Sequence, residues 1–161
     1  MKALNKLWEG LMKFVEAVIV IQLSLLSLVL VYQVIMRYVF NNPPVWSEEL
    51  ALFLMQWITF IGVSYGIHKR LHVRMPALEL RLPPTWRKAL VISSNILCLT
   101  ACFLAIRPAW AYFSRMAVVT SPAMRLPYGF VYICLPIGYT LVVMSFIVDI
   151  IRVCKGDLPR I

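Results

Sequence analysis

Four stretches of this sequence stay apolar for long enough to cross a lipid bilayer, and that leaves little freedom in the fold. A helix needs roughly 20 apolar residues to span the hydrocarbon core. Runs of this kind occupy residues 14–36, 50–67, 89–113 and 128–151. The second is the shortest and can borrow length from residues 46–49. A backbone in oil must satisfy its own polar groups, so each run is expected to be a helix. Pro108 and Pro136 fall inside the third and fourth runs, where neighbouring helices or hydroxyls can take up the freed carbonyls. Composition agrees: 61% of the 161 residues are hydrophobic and 14% are charged, with a mean hydropathy of +0.82. Such a chain has too little polar surface to cover a water-facing shell. The expected fold class is an all-α integral membrane protein, a single four-helix domain over residues 1–161.

The net charge of +9 does not indicate nucleic acid. A nucleic-acid binder gathers its cations on one polar face, whereas here they flank the apolar runs, as in membrane proteins. Their distribution sets an orientation. If both ends lie on one side, that side holds Lys2, Lys6, Lys13, Lys69, Arg70, Arg74, Arg81, Arg87, Lys88, Arg152, Lys155 and Arg160, which is 12 of the 16 Lys and Arg. The other side holds Arg37, Arg107, Arg115 and Arg125. Positive loops stay inside, so both termini are expected in the cytoplasm of a bacterium, with the chain crossing its inner membrane.

Lys2 and Lys6 before an apolar run could suggest a secretory leader. The run is too long and ends in Arg37-Tyr38, not in a small-residue cleavage site, so it reads as a retained first helix. Ahead of it, Leu4, Leu7, Trp8, Leu11 and Phe14 recur at helical spacing. The segment is expected to be a short interfacial amphipathic helix lying on the inner surface before the chain turns in.

One polar stretch stands out between the first two runs, RYVFNNPPVWSEEL at residues 37–50. It is the outward hairpin. Arg37 ends the first helix and can snorkel to the headgroups. Asn41-Asn42-Pro43-Pro44 breaks the helix and turns the chain. Trp46 falls at the height of the aromatic belt. Ser47 is placed to cap the second helix, with Glu48 and Glu49 in its first turn against the positive end of the helix dipole. A helix beginning at Pro43 or Pro44 is an equally good local reading. Arg37 is expected to pair with one of the two carboxylates, a structural role; Glu48 or Glu49 as a docking point for a partner outside the membrane is the sharper alternative.

The middles of the runs carry no Asp, Glu, Lys or His, and Arg107 is the one cation of uncertain depth. Glu16 lies near the inner end of the first helix and Asp149 near the inner end of the fourth. Transport of a proton or ion asks for polar groups near the midplane, and this chain offers Gln22, Gln56, Asn95 and hydroxyls. It reads as a scaffold, with no catalytic or substrate-binding residues of its own. The competing reading is a stand-alone homodimeric exporter with Glu16 as its coupling carboxylate.

No metal site or cofactor is expected. His68 and His72 are four apart, the spacing of metal or haem ligands, but they sit in HKRLHVR among cations. Lys69, Arg70, His72 and Arg74 read instead as a basic cytoplasmic loop facing anionic lipid. Cys98 and Cys102 share a helix and lack further ligands, so the cysteines read as small apolar packing residues. Gly62 and Gly66 form a GxxxG that permits close helix approach, and Ala101, Ala105 and Ala109 repeat the spacing on the third helix. Either ridge could serve the bundle or another subunit.

The whole chain resembles the small membrane subunit, the DctQ-like Q subunit, of a tripartite ATP-independent periplasmic (TRAP) transporter. That family's first hairpin runs from Arg through an aromatic or variable residue, Val or Leu, and Phe, then a few polar residues, to Trp-Ser-Glu-Glu-Leu-Ala. Here Arg37, Tyr38, Val39, Phe40 and Asn41 precede Trp46-Ser47-Glu48-Glu49-Leu50-Ala51. Trp57, Phe60, Gly62, His72-Val73, Leu126-Pro127 and Pro136 are also similar. The acidic residue that often follows His-Val is replaced by Arg74-Met75-Pro76, so no role for that carboxylate carries over. The resemblance implies secondary active transport: symport of small carboxylates with an ion, usually sodium. The implied partners are a large M-type membrane subunit, which carries substrate and ion by an elevator-like motion, and a periplasmic P-type substrate-binding protein. The small permease subunit of the hetero-oligomer would enlarge the stationary frame beside membrane lipids. Trp8, Trp46, Trp86 and Trp110 would resist tilting, and Arg37, Asn41, Glu48, Glu49, Arg115 and Arg125 would be placed to touch the binding protein.

Overall fold

The computed structural model describes residues 2–69 and 83–154, and these are helical apart from the turns that join the spans. The elements are α1 (Lys2–Tyr38), α2 (Val45–His68), α3 (Pro84–Met116), a short α4 (Gly129–Tyr132) and α5 (Cys134–Cys154). Four spans are long and apolar enough to cross a membrane: Lys6–Tyr38, Val45–His68, Trp86–Met116 and Gly129–Cys154. The last combines α4 and α5. The basic loop expected at Arg70, His72 and Arg74 lies outside the described residues.

The helices stand in a row. α1 packs on α2, α2 on α5, and α5 on α3. Among the described residues, α1 and α3 make no comparable contact with each other. Burial follows this order. In an 18-residue apolar stretch of each span, the outer helices α1 and α3 each bury 11% of the residues, whereas the α4–α5 span buries 39%. The fold is therefore one layer thick, with two broad apolar faces. A water-soluble chain could not tolerate this; in lipid those faces cost nothing to expose, because the solvent is as apolar as the side chains.

Two sequence expectations are corrected at the start of the chain. The amphipathic segment before the first span does not lie in plane: α1 runs unbroken from Lys2 to Tyr38. No proline interrupts it, and the face that packs within the fold is not the whole apolar stripe: Leu7, Leu11 and Phe14 stay exposed. Trp8, Met12 and Val15 are buried, and the Trp8 indole N–H donates to His68 Nδ1 at 3.2 Å. Trp8 is thus a packing residue and not an interfacial anchor, whereas Trp86 and Trp110 are exposed. The 33 residues from Lys6 to Tyr38 extend about 50 Å, more than the 40–45 Å of a whole bilayer.

At the fourth span, Pro136 lacks the amide that would continue the ladder from Tyr132. The helix divides just before it, into α4 and α5, with Ile133 between. Pro108 leaves α3 continuous. The α2–α5 seam is set by Gly138, whose ideal Cβ position is 2.7 Å from Phe60 Cβ. Lower in the same seam the Ser145 hydroxyl donates to the Ser64 carbonyl at 3.2 Å. Both serines are buried.

Gly62 and Gly66, expected to mark a close approach, do not make one within this chain. A Cβ added at either would meet nothing within 4 Å. The close approach falls on Gly138, which belongs to no small-residue motif. On α3, Ala109 is buried, Ala105 is half-buried and Ala101 is exposed, so that ridge is used only at one end.

Candidate functional site

Most charged groups of the described chain collect at the two ends of the helix row. At the hairpin end, Asn41 takes a left-handed backbone with φ 49°, a conformation asparagine tolerates better than most residues. The Asn42 amide reaches back to the Met36 carbonyl at 3.0 Å. Pro44 then starts α2 as its N-cap without any side-chain hydrogen bond. The expectation that Ser47 caps this helix is overturned. Ser47 lies one turn inside, fully buried, and its hydroxyl donates to the Pro44 carbonyl at 2.7 Å. The pair of prolines terminates the preceding turn on its own, so the helix starts earlier than a serine cap would place it.

The two adjacent carboxylates do different jobs. Glu48 turns to α1: its Oε1 accepts from Gln33 Nε2 at 3.1 Å and lies 3.7 Å from Arg37 Nη2. Gln33 and Arg37 are one helical turn apart, so they present two donors on one face. Trp46 stacks on Tyr32 of the same helix, with ring centroids 5.9 Å apart.

Glu49 turns to the loop between α3 and α4. Its Oε1 accepts the Ala123 amide and its Oε2 the Met124 amide, each at 2.9 Å. That loop is itself ordered. Thr120 pairs antiparallel with Pro127, the Ser121 amide bonds the Leu126 carbonyl at 2.8 Å, and the Arg125 amide bonds the Ser121 carbonyl at 3.1 Å. Arg125 has a left-handed φ of 53°. The carboxylate thus sits in a nest of two successive amides, with the buried Ser121 hydroxyl alongside. The Trp57 indole adds a bond to the Phe130 carbonyl at 3.1 Å. Arg115 falls in the last turn of α3, so Arg37, Arg115 and Arg125 all stand at this end.

At the terminal end, Asn95 Nδ2 of α3 donates to Asp149 Oδ2 of α5 at 2.8 Å, with both residues buried. Sequence reasoning noted each residue and missed the pair. Also at this end, Glu9, Met12, Lys13, Glu16, Tyr65, His68, Lys69 and Arg152 surround a groove of about 290 Å³. Among the described residues no cluster of His, Cys, Asp and Glu could hold a metal.

The arrangement offers ionic clasps where chain meets water and an apolar wall between. Residues 26–156 match the family of tripartite ATP-independent periplasmic transporters, DctQ component. The chain belongs to this DctQ family. It is therefore a transporter subunit and not an enzyme, and a multi-pass protein of the bacterial inner membrane.

Curated relatives agree. This DctQ-family chain is 28% identical over 120 residues to a TRAP transporter small permease protein of Haemophilus influenzae, covering 74% of each chain. It is 26% identical over 151 residues to the sialic acid TRAP transporter small permease protein SiaQ of Vibrio cholerae, covering 93% of this chain and 87% of that one. It is also 30% identical over 118 residues to the isethionate TRAP transporter permease protein DctMQ of Oleidesulfovibrio alaskensis, where 68% of this chain matches 18% of a much longer protein.

Proposed function

We propose that this chain is the small permease subunit of a TRAP transporter and serves as a stationary frame for a large membrane subunit. That subunit would import small carboxylates, delivered by a periplasmic binding protein, at the expense of a sodium gradient. The hairpin end would face the periplasm and both termini the cytoplasm, as the Lys and Arg distribution favours.

The observation that carries the reading is the one-layer row of helices. A frame needs wide apolar faces for a second membrane protein and for lipid, anchored at the water line. It has no use for charges at mid-depth, where they are costly. Arg37, Glu48 and Glu49 stand at one end of the row and Glu9, Glu16, His68 and Arg152 at the other. Membership of the DctQ family supports the same reading, as does the relative in which a matching segment forms 18% of a single permease chain. An exporter coupled through Glu16 gains no support. Glu16 lines the groove at the terminal end, shared with Lys13 and Lys69, far from a central transport path.

The test is reconstitution. The large subunit with this chain, in proteoliposomes under an inward sodium gradient and with loaded binding protein outside, should accumulate substrate. Omission of this chain should abolish stable assembly and uptake together. Uptake by this chain in the absence of the large subunit would overturn the proposal.

A further inference from the structure

We propose that the groove between the terminal ends of α1, α2 and α5 binds the headgroup of a zwitterionic aminophospholipid. Its phosphate would lie against Lys13, Lys69 and Arg152, and its ammonium against Glu9 and Glu16.

The depth of the groove is right. Arg37 and Trp46 mark one water line. Glu16 lies 21 residues before Arg37 along α1, about 32 Å away, and Glu9 about 42 Å away at 1.5 Å per residue. The hydrocarbon core is about 30 Å thick and the bilayer with headgroups 40–45 Å. The groove therefore spans the opposite headgroup layer. A volume of about 290 Å³ is at the small end for ligand sites, enough for a headgroup whose acyl chains remain in the bilayer.

The charges are right as well. Three cations and two carboxylates line one cavity, and among the described residues none of these five forms a direct ion pair within 4.0 Å. Glu16 and Lys69 both reach the Tyr65 hydroxyl, and opposite charges gathered round a space without direct contact suit a molecule that carries both signs and can bridge them with charge-assisted hydrogen bonds. A purely anionic headgroup would meet Glu9 and Glu16 without compensation. Lys69 is fixed over the Tyr65 ring at 5.5 Å, and His68 is fixed by the Trp8 indole N–H at 3.2 Å, so the walls are preformed. Met12, 1% exposed, closes the floor.

The experiment is native mass spectrometry of the detergent-purified complex with its large subunit, equilibrated with equimolar phosphatidylethanolamine and phosphatidylglycerol. The wild type should retain phosphatidylethanolamine in preference. The double variant Lys69→Gln/Arg152→Gln should retain about tenfold less of it, and Glu9→Gln/Glu16→Gln should reverse the preference toward phosphatidylglycerol. Lys88→Gln, outside the groove, should behave as wild type. Each variant is first checked for unchanged helicity and complex recovery, which separates lipid binding from failure of the frame. The proposal is overturned if Glu9→Gln/Glu16→Gln keeps the wild-type preference, or if Lys69→Gln/Arg152→Gln keeps the wild-type amount. Displacement of the lipid by millimolar free phosphoethanolamine would also overturn it, since the groove would then belong to a soluble ligand.

Discussion

Glu48 and Glu49 are neighbours in sequence yet grip opposite neighbours of α2. Glu48 accepts from Gln33 of α1 at 3.1 Å, and Glu49 accepts two amides of the α3–α4 loop at 2.9 Å. Successive residues on a helix point about 100° apart. A paired carboxylate at the start of an interior helix can therefore tie both flanks of a flat array. In a row of helices without a central core, such ties set the relative heights of the spans, because apolar packing in lipid discriminates register weakly.

The Glu49 clasp predicts a local effect. Glu49→Gln should leave the four spans intact while the Ala123 and Met124 amides exchange with solvent on the order of tenfold faster, since their shared acceptor loses its charge. Hydrogen-exchange mass spectrometry over residues 117–128 reads this directly. Glu48→Gln serves as the matched control and should leave that peptide unchanged. Equal protection in both variants would show that the loop holds itself without Glu49.

Arg37 predicts a small effect. Its side chain and that of Glu48 are each 54% exposed at a separation of 3.7 Å, and exposed pairs contribute roughly 0–1 kcal/mol. Arg37→Ala should therefore lower the thermal midpoint of the purified chain by little. A clear fall in uptake beside that small shift would place Arg37 at a contact with the binding protein.

Much of this fold was legible because run length alone specifies a spanning helix, and the Arg37–Ala51 hairpin punctuates the first two. The order of helices in the row was not. A lipid-facing helix is apolar all round, so periodicity does not mark the face that packs. The Asn95–Asp149 pair lies 54 positions apart; its available signal was a polar residue on each of two antiparallel spans near the same end. The difference in role between Glu48 and Glu49 depends on where a loop 74 residues away folds back, which no local pattern encodes. Gly138 gave no sign because its partner is Phe60 and not another glycine.

The Asn95–Asp149 bond predicts the larger loss of stability. Both residues are buried, and removal of a donor from a buried carboxylate costs about 1–3 kcal/mol. Asn95→Leu should lower stability by about this amount in a denaturation titration. Asn95→Asp should cost more, because it sets two carboxylates against each other in a dry seam. A neutral Asn95→Leu would mean that the other interactions of Asp149 suffice.

The glycines separate packing within the chain from packing against a partner. A side chain at Gly138 must displace Phe60, since the added Cβ falls 2.7 Å from Phe60 Cβ. Overpacking of this kind costs roughly 1–3 kcal/mol. Gly138→Leu should thus part α2 from α5 and lower both the thermal midpoint of the isolated chain and its yield. Gly62→Leu and Gly66→Leu add bulk where nothing lies within 4 Å, so the isolated chain should keep its wild-type midpoint. If α2 meets the large subunit along this face, the same two variants should reduce co-purification severalfold, because small residues there allow close helix approach. Wild-type co-purification of Gly62→Leu/Gly66→Leu would assign that face to lipid and leave the outer helices α1 and α3 as the docking edge.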